Sequence, residues 1–466
     1  MENRTKIICT IGPASQNPDV LKKMISAGMD CARLNFSHGD YEQFAGIIKN
    51  VRALSKSSGR QITVIQDLQG PKIRVGDLLN KGISVKKGQK ITLSILKEQN
   101  TIPMQYKDLP KDVKKGNVLL IDDGLIEISV IGINSGKTKI FCIAKNDGVI
   151  KSHKGINAPF SSISASALTL KDKRDIDFGV KHDVDYIALS FVKSAKDIFE
   201  LKKILRRKKS HAKVIAKIER HEAIANLEQI IKAADAVMVA RGDLGIEIPA
   251  EQVPLQQKKI IHLCNTYGKP VIVATQMLDS MITHPRATRA EISDAATAIF
   301  DHADAFMLSN ETAVGNYPVE ATRTLAKVAT AVEKKLKNHV HLLNLRRPED
   351  MPITNAACLN ACKLANDIHS KFIVAITRTG YTAREIAKYR PFIPIIVFTP
   401  EASVARRMSL VWDVNHCFVQ FIHLKNPLPQ IRKTLIEKKL AKKGDEIVVC
   451  NAGFGRKEKL ITTTII

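Results

Sequence analysis

Short apolar runs ending in polar or glycine residues recur along the chain, and helical periodicity separates most of them. The runs are TKIICTIG, MDCARLNFSHG, QITVIQDLQG, VDYIALSFV, AKVIAKIE, ADAVMVARGD, KPVIVATQM and ADAFMLSNE. Between them lie stretches such as NPDVLKKMISAG and PLQQKKIIHLCNTYG, which read as helices. Eight strand–helix units predict an α/β fold of the (β/α)8 TIM-barrel type, with its active site at the C-terminal ends of the strands. An open doubly wound sheet is the alternative, but no G-x-G-x-x-G fingerprint follows a strand.

The interval between the third and fourth runs is roughly 115 residues, far too long for a βα loop. It contains KGISVKKGQKITLSIL, GNVLLIDDGLIEISVIGI and GKTKIFCIAK, rich in Val, Ile and Thr with turn signals at Gly and Asp. This predicts a small all-β domain, a β-barrel over 75–166, inserted at the active-site end and placed to act as a lid. The α/β pattern restarts near Arg347 with MPITNAACLNACKLANDI, KFIVAIT, GYTAREIAKYR, PIIVFT and a late strand DEIVVC. The expected organisation is a catalytic barrel from 1–74 and 167–346, the insert, and a C-terminal α/β regulatory domain over 347–466.

Composition changes this picture in two ways. The 44% hydrophobic content supports real cores, and no apolar run is long enough to span a membrane. The charged start MENRTKIICT has no signal-peptide core, and the scattered cysteines form no C-x-x-C pair, so a cytoplasmic protein with reduced thiols is expected. Cys358 and Cys362 share a predicted helix face and read as core packing rather than metal ligands.

Charge is the unusual feature: 72 Lys and Arg against 46 Asp and Glu, a formal net of +26. Basic residues cluster in LKKILRRKKSHAK (201–213) and IRKTLIEKKLAKKGDE (431–446), both with helical periodicity and lysines toward solvent. Aromatics are 5% and do not interleave with the basic residues, which argues against a single-strand stacking platform. The expectation is solvated faces with steering of small anions, no specific nucleic-acid partner and no membrane.

The strand ends carry the chemistry. The second run supplies Arg33, Asn35, Ser37 and His38, and the third supplies Asp67 with Arg74 beyond it. The fifth supplies Lys217 and Glu219, the sixth Arg241, Gly242 and Asp243, the seventh Thr275 and Gln276, the eighth Ser309 and Glu311. Residues i and i+2 of a strand share a face, so Lys217 and Glu219 point together. Glu219 and Asp243 on neighbouring strands suit Mg²⁺, although salt bridges to Lys217 and Arg241 are the plainer alternative. Three cations around that pair suit phosphoryl transfer. Thr275 and Ser309 read equally well as turn or cap hydroxyls.

TKIICTIGPAS, ARLNFSHG, QDLQGPKIR, LTLKDKRDIDFG, VIAKIERHEAI, VMVARGDLGIEI, ATQMLDSM, PRATRAEISDAA and MLSNETAVGNYPVE together resemble the pyruvate kinase family, in order and over nearly the whole chain. The resemblance implies glycolytic phosphoryl transfer from phosphoenolpyruvate to ADP, giving pyruvate and ATP. It implies Mg²⁺, with Mn²⁺ as a substitute, on Glu219 and Asp243. Lys217 would meet the transferring phosphoryl group and Arg33 would hold phosphate, while Gly242, Asp243 and Thr275 would hold the substrate carboxylate. Asn35, His38 and Arg74 fall where the family binds nucleotide. The proton donor to the enolate is open between Thr275 and a water relay near Ser309 and Glu311. A homotetramer is also implied.

Three departures stand out. Where many members read G-P-E-I-R and need K⁺, this chain has GPKIR with Lys72, whose ammonium can supply the missing charge. Leu68 stands where a threonine often helps bind K⁺, and Val75 follows Arg74, whereas Asn35, Ser37 and Asp67 still match the K⁺ motif. Activity without K⁺ is therefore expected, against the plain alternative of a loop lysine. Asn310 replaces a usual glycine, and Ser194 a usual basic residue. Finally TRTGYTARE (377–385), with Thr377, Arg378, Thr379, Gly380 and Thr382, is a candidate loop for a sugar phosphate effector or ordinary helix capping, with NAGFGRKEK adding charge. Lyase and nucleic-acid-binding readings are the rivals.

Overall fold

A computed structural model of the protein describes residues 3–78, 82–96, 98–336, 352–452 and 460–466. The boundary expected at 346/347 and residues 453–459 of NAGFGRKEK lie outside the described residues. The chain runs through β1 (Lys6–Thr10), β2 (Cys31–Asn35) and β3 (Thr63–Asp67) before leaving the first sheet. The insert holds β4 (Ile83–Val85), β5 (Lys90–Ser94), β6 (Ile102–Pro103), β7 (Val118–Ile121), β8 (Ile126–Ile133), β9 (Lys139–Ala144), β10 (Gly148–Ile150) and β11 (Ile156–Asn157). The first sheet then resumes with β12 (Tyr186–Leu189), β13 (Lys213–Ile218), β14 (Ala236–Ala240), β15 (Val271–Ala274) and β16 (Ala305–Leu308). These eight strands close into a parallel barrel in the order β1-β2-β3-β12-β13-β14-β15-β16.

The barrel explains why the strands are apolar almost throughout. One parity fills the interior with Ile8, Cys31, Ile65, Ala188, Ile215, Met238, Ile272 and Met307. The other packs against the surrounding helices through Ile7, Val64, Val214, Val237 and Val273. Arg33 shares its parity with Cys31, Asp67 with Ile65, and Lys217 with Ile215. Each polar residue therefore continues an inward-facing row to the C-terminal rim.

The two ends of the barrel are treated differently. Leu410, from the turn Met408–Leu410 of the C-terminal domain, joins the interior cluster and closes the base. Ser409 Oγ donates to Gln61 O at 2.6 Å, and Thr63 Oγ1 to Arg406 O at 2.6 Å. Buried cations complete the seam: Lys6 Nζ donates to Asn415 Oδ1 at 2.6 Å, and Arg390 to Asp304 Oδ1 at 2.9 Å beneath the Trp412 ring. The opposite rim carries the insert.

The insert forms a six-stranded sheet, β11-β7-β8-β9-β5-β6, and a separate β10-β4 pair. The sheet is an open half-barrel where a closed one was expected, since β11 and β6, at its two edges, are two-residue strands too short to join it up. The C-terminal domain has sheet order β19-β18-β17-β20-β21, from β17 (Phe372–Ile376), β18 (Ile395–Thr399), β19 (Val414–Val419), β20 (Glu446–Asn451) and β21 (Leu460–Ile465). Sequence periodicity anticipates the three central strands and misses the edges, because β19 is only half-buried along most of its length. Cys358 and Cys362 pack in this domain's core, as expected.

The two basic runs are not continuous helices. The first helix, Ala195–Arg207, ends before the left-handed Lys209 (φ 53°), and Lys213 already opens β13. The second, Leu428–Glu437, stops well before the charged turn leading to β20. Clustered Lys and Arg extend past each C-terminus, where cations meet the negative end of the helix dipole. No helix among the described residues is long and apolar enough to cross a membrane.

Candidate active site

A charge cluster sits at the open rim. Arg33 donates to Asp67 Oδ2 through Nε at 2.8 Å and pairs with it through Nη2 at 2.7 Å, and its Nη1 reaches Thr10 Oγ1 at 2.9 Å. Lys217 Nζ lies 2.7 Å from Glu219 Oε1 and 3.3 Å from Asp67 Oδ1, and donates to Ser190 Oγ at 2.8 Å. The other oxygen of Glu219 accepts from Phe191 N at 2.7 Å. All four charged side chains are buried.

The electrostatics are lopsided. Burial opposes ionisation of Asp67, yet Lys217 and Arg33 overcome it and hold the carboxyl below its usual range. Burial likewise opposes the Lys217 ammonium, and Asp67 and Glu219 outweigh it, so this lysine stays charged. Glu219 is raised: burial pushes it up, Lys217 pulls it down, and nearby Asp243 adds to the rise. A carboxylate held in such a place by a second carboxylate is short of positive charge. Two hard oxygen donors with that deficit fit a divalent cation. Glu219 follows β13, and Asp243 lies in the first turn of the helix Arg241–Glu247 that follows β14.

Thr275 and Gln276 end β15 with φ of 69° and 52°. A β-branched residue in the left-handed region is strained, and something must hold it there. Gly242 N donates to Thr275 Oγ1 at 2.8 Å, and Arg241 Nη2 donates to Thr275 O at 2.7 Å and Gln276 O at 3.0 Å. Arg241 is itself held by Asp294 at 2.6 Å. The plainer alternative at the metal carboxylates included a salt bridge to Arg241; the structure makes Arg241 the latch of the Thr275 turn.

Other expected residues fall in different places. Asn35 Oδ1 accepts from Ser37 N at 3.2 Å, closing a turn that leaves His38 exposed at the rim. Arg74 lies at the root of the insert, bridging to Gly155 and donating to His153 O at 2.9 Å. Lys72 lines the cleft between barrel and insert with Phe191, Lys193 and Arg220, and its Cε would sit 3.3 Å from a Cβ at Gly155. It forms no ion pair with Asp67 among the described residues. Both oxygens of Glu311 are taken by backbone amides, Leu278 N at 3.1 Å and Ser309 N at 2.7 Å. That carboxylate braces two loops at the rim.

In the 377–385 loop, Thr377 Oγ1 accepts from Gly380 N at 3.0 Å and Thr379 Oγ1 from Tyr381 N at 3.4 Å. Gly380 is left-handed at φ 83°, Thr382 is buried, and Arg378 reaches Glu401 at 3.6 Å. The Thr377 and Thr379 hydroxyls cap the turn. Ser194 opens a helix, and its N–H donates to Asp197. Ser190 and Phe191 were given no role from the sequence, although both stand inside the fourth run, directly after β12. Ser190 links Lys217 to Leu68 O, to which it donates at 2.7 Å.

A barrel with buried cations, two metal-competent carboxylates and a β insert over its rim defines a metal-assisted phosphotransferase. The pyruvate kinase barrel-domain model matches residues 2–322, and the pyruvate kinase alpha/beta-domain model residues 355–465. The pyruvate kinase of Geobacillus stearothermophilus is 42% identical over 454 residues, 96% of this chain and 77% of that protein. That of Clostridium acetobutylicum is 42% identical over 417 residues, 88% of each chain. The crystal structure of a pyruvate kinase from Cryptosporidium parvum superposes with a TM-score of 0.94 at 36% identity, covering 99% of this chain and 96% of that one. The chain belongs to the pyruvate kinase family.

Proposed function

We propose that the Arg33–Asp67–Lys217–Glu219–Asp243 cluster is where this pyruvate kinase moves a phosphoryl group from phosphoenolpyruvate to ADP. The observation that carries the assignment is the buried Lys217, paired to both Asp67 and Glu219 at the barrel rim. Glu219 and Asp243 hold Mg²⁺, or Mn²⁺ in its place, and the ion neutralises charge on substrate oxygens when bound. Lys217 turns its fixed ammonium toward the transferring group and then toward the enolate oxygen. Arg33, oriented by Asp67 and Thr10, holds the phosphate. Gly242, Asp243 and Thr275 bind the substrate carboxylate, and the strained Thr275 turn keeps the hydroxyl in place. The proton to the enolate carbon comes from Thr275 Oγ1 or from a water relay near Ser309 and Glu311.

Asn35, His38 and Arg74 form the nucleotide side. Arg74 sits at the insert's hinge, so ADP binding and movement of the insert as a lid are linked. Lys72 replaces K⁺ in charge by facing the same cleft, and Asn35, Ser37 and Asp67 are the residual K⁺-site positions. The domain limits are 1–74 and 167–346 for the barrel, 75–166 for the insert and 347–466 for the regulatory domain. Thr377, Arg378, Thr379, Gly380 and Thr382 form the candidate sugar phosphate loop. The enzyme works as a cytoplasmic homotetramer. The test is pyruvate release from phosphoenolpyruvate with ADP and Mg²⁺. Turnover that chelator abolishes and Glu219→Gln weakens supports the site; equal turnover by Glu219→Gln at limiting Mg²⁺ removes it.

A further inference from the structure

Two cations outside the reacting cluster converge on the insert. The chain returns from the insert to the barrel through residues 161–166, just before the helix Leu170–Lys181. Along this limb residues 161, 163 and 165 are covered by neighbours, and 162, 164 and 166 are exposed. Alternation of that kind marks extended backbone, which aims the carbonyls of alternate residues the same way. The carbonyls of 161, 163 and 165 all accept from barrel side chains. Arg220 Nη2 donates to Ser161 O at 3.1 Å, and Lys193 Nζ to Ile163 O at 2.9 Å and Ala165 O at 2.7 Å.

Each cation is anchored beside a metal carboxylate. Arg220 directly follows Glu219 in the chain. Lys193 stands two residues after Phe191, whose N–H donates to Glu219 Oε2 at 2.7 Å. Arg220 is buried, and Glu222 holds it on both oxygens, Nε to Oε2 at 2.9 Å and Nη2 to Oε1 at 3.2 Å. Its Nη2 also lies 3.7 Å from Glu247 Oε2, and His221 Nδ1 lies 3.1 Å from the same oxygen. Glu247 is buried and ends the helix whose first turn carries Asp243. Asn226 Nδ2 ties the two loops together, donating to Lys193 O at 3.0 Å and Glu222 O at 3.1 Å.

Hydrogen bonds from charged donors are the strong kind, and these sit where water is largely excluded. The limb therefore shifts only if Arg220 and Lys193 move with it or give up their bonds. We propose that Arg220 and Lys193 are positioning residues that fix the return limb of the insert to the two metal-carboxylate loops, so that the position of the insert and the geometry of the Glu219–Asp243 pair are coupled. The inference rests on the assignment of that pair to the metal. Coupling of this sort is reciprocal: an ion that orders the pair also orders the limb, and a limb set loose weakens the ion. A brace that merely holds the fold together gives no such response to metal.

The test titrates Mn²⁺ onto the full chain, reading the free ion by electron paramagnetic resonance, and follows amide hydrogen exchange over residues 158–168 with and without the ion. Mn²⁺ should slow exchange there in the parent. Lys193→Met and Arg220→Lys should lose that slowing and bind Mn²⁺ about fivefold or more weakly. An ammonium in place of Arg220 does not span Glu222 and Ser161 O together. Lys193→Arg keeps donors for both carbonyls and should retain slowing and affinity. A parent limb indifferent to Mn²⁺ overturns the proposal. So do variants that melt earlier without metal yet keep the parent's exchange response and affinity. Glu219→Gln, which should lose Mn²⁺ binding, separates the two readings. If it does so while the Lys193 and Arg220 variants behave as the parent, the metal pair stands and the coupling falls. If Glu219→Gln binds Mn²⁺ as the parent does, the metal pair falls and the coupling with it.

Discussion

Lys217 Nζ lies 2.7 Å from Glu219 Oε1, a contact between residues two apart at the end of one strand. The strand period puts them on one face, and the barrel turns that face into a buried rim. A cation and a metal-binding carboxylate held this way are preorganised, with their separation fixed by backbone rather than by flexible loops.

Replacing Lys217 by Met should lower kcat by about 10²–10³-fold, the usual scale for one preorganised charge. Lys217→Arg should recover little, since a planar fork does not reproduce a point charge among Asp67, Glu219 and Ser190. Steady-state kinetics at saturating Mg²⁺ checks both, and a Met variant within threefold of the parent would sink the role.

Lys72 carries the K⁺ expectation. Rates in K⁺-free, Na⁺-free buffer should match those with K⁺, and Lys72→Glu should need K⁺ for full rate. Near-zero parental activity restored by K⁺ would discard this argument while leaving the enzyme intact.

Asp413 should make stability fall as pH rises. Burial raises its pKa to about 7, against the pull of Arg4 and Lys6. The ordinary carboxyl value is about 3.9. The folded state therefore holds the proton more tightly, and its stabilising contribution is complete below about pH 4 and lost as pH passes 7. Asp413→Asn keeps a residue suited to the left-handed φ of 60°. It should match the parent near pH 4 and exceed it at pH 8 by up to about 4 kcal/mol. Denaturant titration at both pH values is the check; parallel pH profiles for the two proteins would refute it.

Leu410 closes the barrel base with a fully buried side chain. Leu410→Ala should cost about 2–5 kcal/mol through the cavity it leaves. Because the residue belongs to the C-terminal domain but packs in the barrel, the loss should appear as one earlier melting transition for both. An unchanged barrel transition in calorimetry would contradict this.

Much of the rim was legible in the chain itself. Strand parity placed Lys217 and Glu219 on one face, and eight repeated units implied the closed barrel whose mouth gathers them with Arg33 and Asp67. Motif order identified the family before any contact was known. These features are local, with periods of two and of a helical turn, so sequence carries them directly.

Contacts between distant parts of the chain were decided by the tertiary structure alone. Arg241 reads in sequence as a partner for a metal carboxylate but latches the Thr275 turn. Glu311 reads as part of a rim relay, and the structure shows that it also braces two loops. Lys6 and Arg390 look like surface charges, yet both are buried where the C-terminal domain closes the barrel. Leu410 is an ordinary leucine until it fills the base. A side chain's ionic partner depends on which surfaces come together, and no periodicity within one strand or helix records that.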